Sequence, residues 1–258
     1  MRALVTGAGK RLGRAMALEL AANGYDVAVH YASSADAAEA TAVDIRAMGR
    51  VAVTLQADLL EEAATEALLP AAADALGGPI TCLVNNASIF EHDSLETATR
   101  SSWDRHMDSN LRAPFILTQQ LAAQDLPQQV DEQGRALASA SVINLIDQRV
   151  RKLTPEFMTY TLAKSALWTL TRTSAQALAP RIRVNGIGPG PTLRGPRQSE
   201  SQFARQCANT PLQRGADPAD IRAALSYLLR APSVTGQLIC IDSGQHLSWE
   251  TPDVVGLE

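Results

Sequence analysis

The amino-acid sequence predicts an α/β fold: a single doubly wound domain over residues 1–258, with a seven-stranded parallel sheet and helices on both of its faces. Three observations predict it. Short runs rich in β-branched residues alternate with longer Ala-rich amphipathic stretches, the pattern of parallel strands joined by crossover helices. With 258 residues, 46% of them hydrophobic, the chain can bury a large core, and domains of this class reach that length undivided. No internal repeat or low-complexity linker splits it.

In chain order, the first strand is expected over 3–6 (ALVT), followed by a glycine-rich turn and a helix over 12–22. A second strand over 26–30 (DVAVH) leads to a helix over 35–48, and a third over 51–55 (VAVTL) to a helix over 61–76. The fourth, 81–85 (TCLVN), precedes one long helix over 99–124, and the fifth, 141–145 (SVINL), a helix over 156–178. The sixth and seventh strands, 182–186 (IRVNG) and 237–241 (QLICI), flank a helix over 218–229. Two segments break the rhythm. Polar 127–134 predicts a surface loop; Pro- and Gly-rich 188–196, with a helix-like run to about 208, predicts a flap over 188–209. Such sheets bind ligands beyond the carboxyl ends of their strands, which places the flap over a site.

Composition excludes several functions. A formal charge of −4 argues against a nucleic-acid partner, which needs clustered Lys and Arg. Cys82, Cys207 and Cys240 are odd in number and widely spaced, and read as free thiols. His30, His92, His106 and His246 show no metal-ligand spacing, so no metal is expected. No apolar stretch is long enough for a membrane span. The first strand begins so early that it leaves no room for a secretory leader, so a cytoplasmic location is expected.

Thr6-Gly-Ala-Gly-Lys-Arg-Leu-Gly13 joins the first strand to the first helix, where backbone amides and the helix dipole can receive a pyrophosphate. Gly7 permits the turn and Gly13 a close helix approach. The second strand ends His30-Tyr31-Ala32-Ser33-Ser34, without the carboxylate that would bind the ribose of NAD. Lys10 and Arg11 can pair with a 2′-phosphate and Ser34 can hydrogen-bond it, so NADP(H) is expected; the alternative is that both cations are merely solvated. Asp58 either accepts from an adenine amino group or caps its own loop.

Tyr160 and Lys164 stand four residues apart, on one helix face. A nearby ammonium favours phenolate, so this spacing predicts a proton-shuttling tyrosine with a lowered pKa.

Thr6-Gly7, Gly13, Asn85-Asn86-Ala87, Asn110 and Tyr160-x-x-x-Lys164 together resemble the short-chain dehydrogenase/reductase family, over essentially the whole chain. The resemblance implies a Rossmann-like sheet and nicotinamide chemistry, with Tyr160 as acid/base, Lys164 on the nicotinamide ribose and Asn110 holding a relay water. It places Asn86 and Ala87 beside the cofactor, has Thr192 bond its carboxamide or phosphates, and extends the cofactor site to Leu12, His30, Tyr31, Leu59, Pro189 and Gly190.

Two positions depart from the family pattern. Arg11 replaces the middle glycine of the loop, and Asp147 replaces the serine thirteen residues before the tyrosine. A carboxylate there would repel the oxyanion of a ketone under reduction, forfeiting about 3 kcal/mol of stabilisation. It suits a substrate with N–H donors or ring nitrogens to be protonated. With Lys10-Arg11-Leu12-Gly13 and Asn86-Ala-Ser-Ile-Phe90, it resembles the pteridine reductase branch, which includes dihydromonapterin reductases. There the residue matching Phe90 stacks on the pterin, that matching Ser88 lies near phosphates and substrate, and that matching Phe157 lines the pocket. The alternatives are that Phe90 is a core residue and that Asp147 is an ion-pair partner of Arg149 or Arg151.

The leading expectation is therefore NADPH-dependent reduction of a dihydropteridine. A reductase of another carbonyl or alcohol stands second, and a silent NADPH-binding module third. The resemblance further implies a homotetramer or homodimer built on the helix 156–178, with Leu167 and Trp168 as interface candidates or sheet-packing residues. The tail 249–258 either reaches a neighbour's pocket or lies loose.

Overall fold

The computed structural model describes residues 1–195 and 197–251. Most of the tail 249–258 therefore lies outside the described residues. The elements run β1 (Arg2–Val5), α1 (Arg11–Ala22), β2 (Asp26–Tyr31), α2 (Ala35–Ala47), β3 (Ala52–Gln56), α3 (Glu62–Ala75), β4 (Cys82–Asn85), α4 (Arg100–Met107) and α5 (Ala113–Ala123). Then come a small ribbon of β5 (Gln129–Val130) and β6 (Ala136–Leu137), β7 (Ala140–Leu145), α6 (Met158–Leu178), β8 (Ile182–Pro189), α7 (Glu200–Ala208), α8 (Pro218–Arg230) and β9 (Leu238–Ile241).

The seven-stranded sheet is parallel throughout, in the order β3-β2-β1-β4-β7-β8-β9. The order in which strands are added reverses between β1 and β4, which opens a crevice at their carboxyl ends. Alternation within the strands builds two cores. Ala3 and Val5 of β1 face Met16 and Leu20 of α1 and Ile221 and Leu225 of α8. Leu4, between them, faces the other side with Leu68 and Leu69 of α3 and Leu117 and Leu121 of α5. Strands buried on both faces read as continuous apolar runs for this reason.

Three expectations are corrected. The long helix over 99–124 is interrupted by a π turn at Asp108–Arg112 between α4 and α5, and Asn110 sits within it. The surface loop over 127–134 is partly the antiparallel β5/β6 ribbon, closed by Asp131, whose Oδ1 accepts from the Gln133 and Arg135 backbones. The catalytic-end helix starts at Met158, because Phe157 stands in the left-handed region at φ 58° and cannot continue it.

Candidate active site

At the crevice, Gly7 adopts φ +64°, a conformation that disfavours any side chain. Its N–H donates to His30 Nδ1 at 3.0 Å, and His30 Nε2 donates to the Ala57 carbonyl at 3.0 Å. His30 is thus a buried neutral strut between the turn, β2 and the end of β3, and burial holds its pKa below the ordinary value. A Cβ on Gly13 would stand 2.2 Å from the Gly7 carbonyl oxygen, so α1 packs against the turn more closely than any other residue permits. Thr6 Oγ1 accepts from the backbones of Asn86 and Ala87, both at 2.9 Å, and Asn86 Nδ2 returns to the carbonyls of Thr6 (2.8 Å) and Gly7 (3.1 Å). These bonds fuse the glycine turn to the segment leaving β4.

Around this cradle, Lys10 is exposed at the head of α1, and Ser34 heads α2 with no capping bond to its side chain. Tyr31 is half-buried, while Leu12 and Leu59 pack into the two cores. Asp58 Oδ1 takes the Leu60 N–H at 3.0 Å, the loop-capping arrangement. Gly190 is backed by Asp242, whose Cα would lie 2.6 Å from an added Cβ, and Thr192 Oγ1 donates to the Gly190 carbonyl at 3.1 Å. Pro189 ends β8 beside them. Arg11 departs from expectation: its guanidinium donates to the carbonyls of Leu193 (2.9 Å) and Arg194 (2.8 Å), and so engages the flap.

Beyond the ends of β4 and β7 the sheet brings Asp147, Tyr160, Lys164 and Asn110 into one neighbourhood. Tyr160 Oη donates to Asp147 Oδ2 at 2.9 Å, and Asp147 Oδ1 accepts the Arg149 backbone N–H at 2.8 Å. The guanidinium of Arg149 turns instead to Thr154 Oγ1 and the Glu156 carbonyl, and that of Arg151 to the Leu238 carbonyl at 3.2 Å. The acid is aimed at the phenol. Lys164 Nζ donates to the Leu145 carbonyl at 2.8 Å and lies 5.7 Å from the Tyr160 ring centre. Asn110 Oδ1 accepts from Ser88 Oγ at 2.6 Å, and its Nδ2 donates to the Ile89 carbonyl at 2.9 Å.

The electrostatics correct the expectation of a phenolate-prone tyrosine. Burial, then the charge and hydrogen bond of Asp147, push the Tyr160 phenol well above its ordinary value. Burial also lowers Lys164 to about 8, against the pull of Asp147, and raises the Asp147 carboxyl despite the Arg149 and Tyr160 hydrogen bonds. Desolvation disfavours every charged form here, and the carboxylate, which bonds the phenol directly, outweighs the more distant ammonium.

Phe90 is 45% exposed and is no core residue. Its ring stacks on Phe157 with centres 4.3 Å apart and planes at 9°, and meets Tyr160 edge-on at 4.7 Å. From the flap, Arg197 donates to the Phe90 carbonyl. The sequence reading missed Asp93, His106 and Thr159, three buried polar residues behind this aromatic group; a histidine inside a polar helix was the available signal. Among the described residues no group of three or more acidic, His or Cys side chains could hold a metal, and no helix is long and apolar enough to cross a membrane. Leu167 is 1% exposed and packs with Ile146 and Leu238, so it is a core residue of this chain, whereas Trp168 is partly exposed beneath Arg172.

A family described as Enoyl-(Acyl carrier protein) reductase matches residues 7–246. The 3-oxoacyl-[acyl-carrier-protein] reductase FabG of Staphylococcus epidermidis is 32% identical over 250 residues, which cover 95% of this chain and 98% of that protein. The crystal structure of FolM Alternative dihydrofolate reductase 1 from Brucella suis in complex with NADP is 45% identical, with a TM-score of 0.91 and 98% of each chain covered. A short-chain dehydrogenase from Burkholderia cenocepacia in complex with NADP is 30% identical, with a TM-score of 0.83, covering 95% of this chain and 97% of its own.

Proposed function

The chain belongs to the short-chain dehydrogenase/reductase family, and from that membership we propose that it is an NADPH-dependent reductase converting a dihydropteridine, such as dihydromonapterin, dihydrobiopterin or dihydrofolate, to its tetrahydro form. The observation that carries this reading is the Tyr160 to Asp147 hydrogen bond: an acid, not a neutral hydroxyl, stands beside the phenol.

The residues present fit a phosphorylated dinucleotide. Gly7 at φ +64° and the close packing of Gly13 on the turn bring the N-terminus of α1 to the crevice, that terminus has no side-chain cap to occupy its first N–H groups, and no carboxylate closes β2. The Gly7 to Leu12 turn and Lys10 would hold the phosphates, with Ser34 at the 2′-phosphate. Asn86, Ala87, Pro189, Gly190 and Thr192 would border the nicotinamide half, and Lys164 its ribose. When bound, the cofactor supplies the hydride.

The protein's own part is the proton. Its raised pKa keeps Tyr160 a phenol, ready to donate to a ring nitrogen gaining electron density. Asp147 accepts hydrogen bonds from substrate N–H groups, and its raised carboxyl brings it closer to accepting a proton from solvent, so acid and phenol can pass one proton between them. After transfer the phenolate faces Lys164, which offsets its charge. Phe90 and Phe157 present aromatic surface for a flat heterocycle.

The FolM structure, a reductase of dihydrofolate by its name, supports this reading. FabG-type relatives favour a carbonyl substrate as the second reading, which the carboxylate opposes. We further propose a cytoplasmic homotetramer or homodimer. NADPH oxidation with dihydromonapterin, dihydrobiopterin and dihydrofolate, compared with a panel of ketones, is the test; turnover confined to ketones overturns the pteridine reading.

A further inference from the structure

The helix that carries Tyr160 and Lys164 does not cap itself. Phe157, at its N-terminal boundary, is left-handed and offers no capping side chain, so the first N–H groups of a 21-residue helix need partners from elsewhere. One residue from the segment after β4 supplies them. The Asp93 carbonyl accepts from the N–H groups of Phe157 (2.8 Å) and Met158 (3.3 Å), and Asp93 Oδ1 accepts that of Thr159 at 3.1 Å. Asp93 Oδ2 accepts from Thr159 Oγ1.

The contacts then close into a ring. His106 Nε2 accepts the Glu91 N–H at 3.1 Å, which leaves the proton of a neutral imidazole on Nδ1, and Nδ1 meets Thr159 Oγ1 at 2.7 Å. Glu91, His106, Thr159 and Asp93 thus lock the segment after β4 to both α4 and α6. Asp93 is 2% exposed, Thr159 1% and His106 0%. Burial pushes the Asp93 carboxyl up, but hydrogen bonds from the Thr159 side chain and backbone and from Ser102, with the nearby His106, hold it below its ordinary value.

The ring lies behind the residues to which the proposed chemistry falls. Phe90 precedes Glu91 and stacks on Phe157, the left-handed residue whose N–H Asp93 holds. Tyr160 follows Thr159, and its ring lies 6.0 Å from that of His106. We propose that Asp93 is a positioning residue: by capping α6 from the substrate-side segment and gripping Thr159, it sets the Phe90 and Phe157 pair and the Tyr160 phenol in one geometry. This rests on the dihydropteridine reading for the identity of the substrate, though not for the existence of the clamp. An ionised acid suits the place, because a helix N-terminus favours negative charge and an amide could accept at only one atom.

The experiment compares Asp93→Asn, Thr159→Val and Thr159→Ser with the wild type, well below their melting temperatures. It measures NADPH affinity by fluorescence, and kcat and KM for dihydrobiopterin. Asp93→Asn and Thr159→Val are expected to lower kcat/KM by about ten- to hundredfold, through KM as well as kcat, as small misplacements of reacting groups do. NADPH affinity should stay within about twofold, and Thr159→Ser, which keeps the hydroxyl, should restore most of the activity. If both disruptive variants lose melting temperature but keep wild-type kcat and KM, or lose NADPH affinity in step with activity, the clamp is merely structural and the proposal fails. Thr159→Val spares the backbone bonds and serves if Asp93→Asn does not fold. Should the wild type reduce only a ketone, the dihydropteridine reading falls, and the same comparison made with that ketone still decides the role of Asp93.

Discussion

Among single residues, Tyr160 and Lys164 stand in different balances from those their spacing implies. Removing the phenol hydroxyl in Tyr160→Phe takes away the proton donor and leaves the ring packing intact. Turnover should fall by about 10²- to 10⁴-fold while NADPH still binds, as stopped-assay rates and cofactor fluorescence would show. Lys164 gives a pH dependence. Its folded value of about 8 lies below the ordinary 10.5, so the ammonium of the free enzyme is lost as pH rises through about 8. NADPH affinity should therefore weaken from pH 7 to 9, and Lys164→Met should bind weakly with no such step. The sign for stability is opposite: between about 8 and 10.5 the unfolded chain holds a proton that the folded one lacks, so this group makes folding more favourable as pH rises there.

Among the elements, the flap after β8 is fastened at both ends of the crevice. Arg11, itself at φ 53° where α1 begins, bonds the carbonyls of Leu193 and Arg194, and Arg197 bonds that of Phe90. Closing segments of this kind exclude water and often set turnover. Arg11→Ala removes the fastening on the cofactor side. Limited proteolysis within 193–209 should become several-fold faster in the free protein, since cleavage follows the opened population. Equal cleavage of variant and wild type would show that these two bonds do not hold the flap. The π turn at Asp108–Arg112 is a second local device: by widening the helix it places Asn110 where its side chain reaches both Ser88 Oγ and the Ile89 carbonyl.

Across the whole molecule, the two halves of the sheet meet between β1 and β4, and His30 ties together what converges there. Its Nδ1 must stay unprotonated to accept from Gly7, and burial holds its pKa below 6.5. A lowered histidine contributes stability above its ordinary value and loses that contribution as pH falls from 6.5 through the folded value. Thermal melts should therefore decline below pH 6.5, and His30→Phe, which leaves the Gly7 N–H without an acceptor, should lose about 1–3 kcal/mol and flatten that decline. The seven strands, the glycine turn, the missing carboxylate after β2 and the unusual Asp147 were all readable along the chain, because alternation, turn chemistry and the identity of a side chain are local properties. The π turn, the left-handed Phe157, the reach of Arg11 into the flap and the clamp formed by Asp93 were not. The last two depend on groups distant in sequence meeting within hydrogen-bond distance, and only the packed sheet brings them there, while the first two are backbone departures that no residue pattern announced. The reversed balance at Tyr160 has the same origin: desolvation is set by what surrounds a group in space, and no spacing along the chain records it.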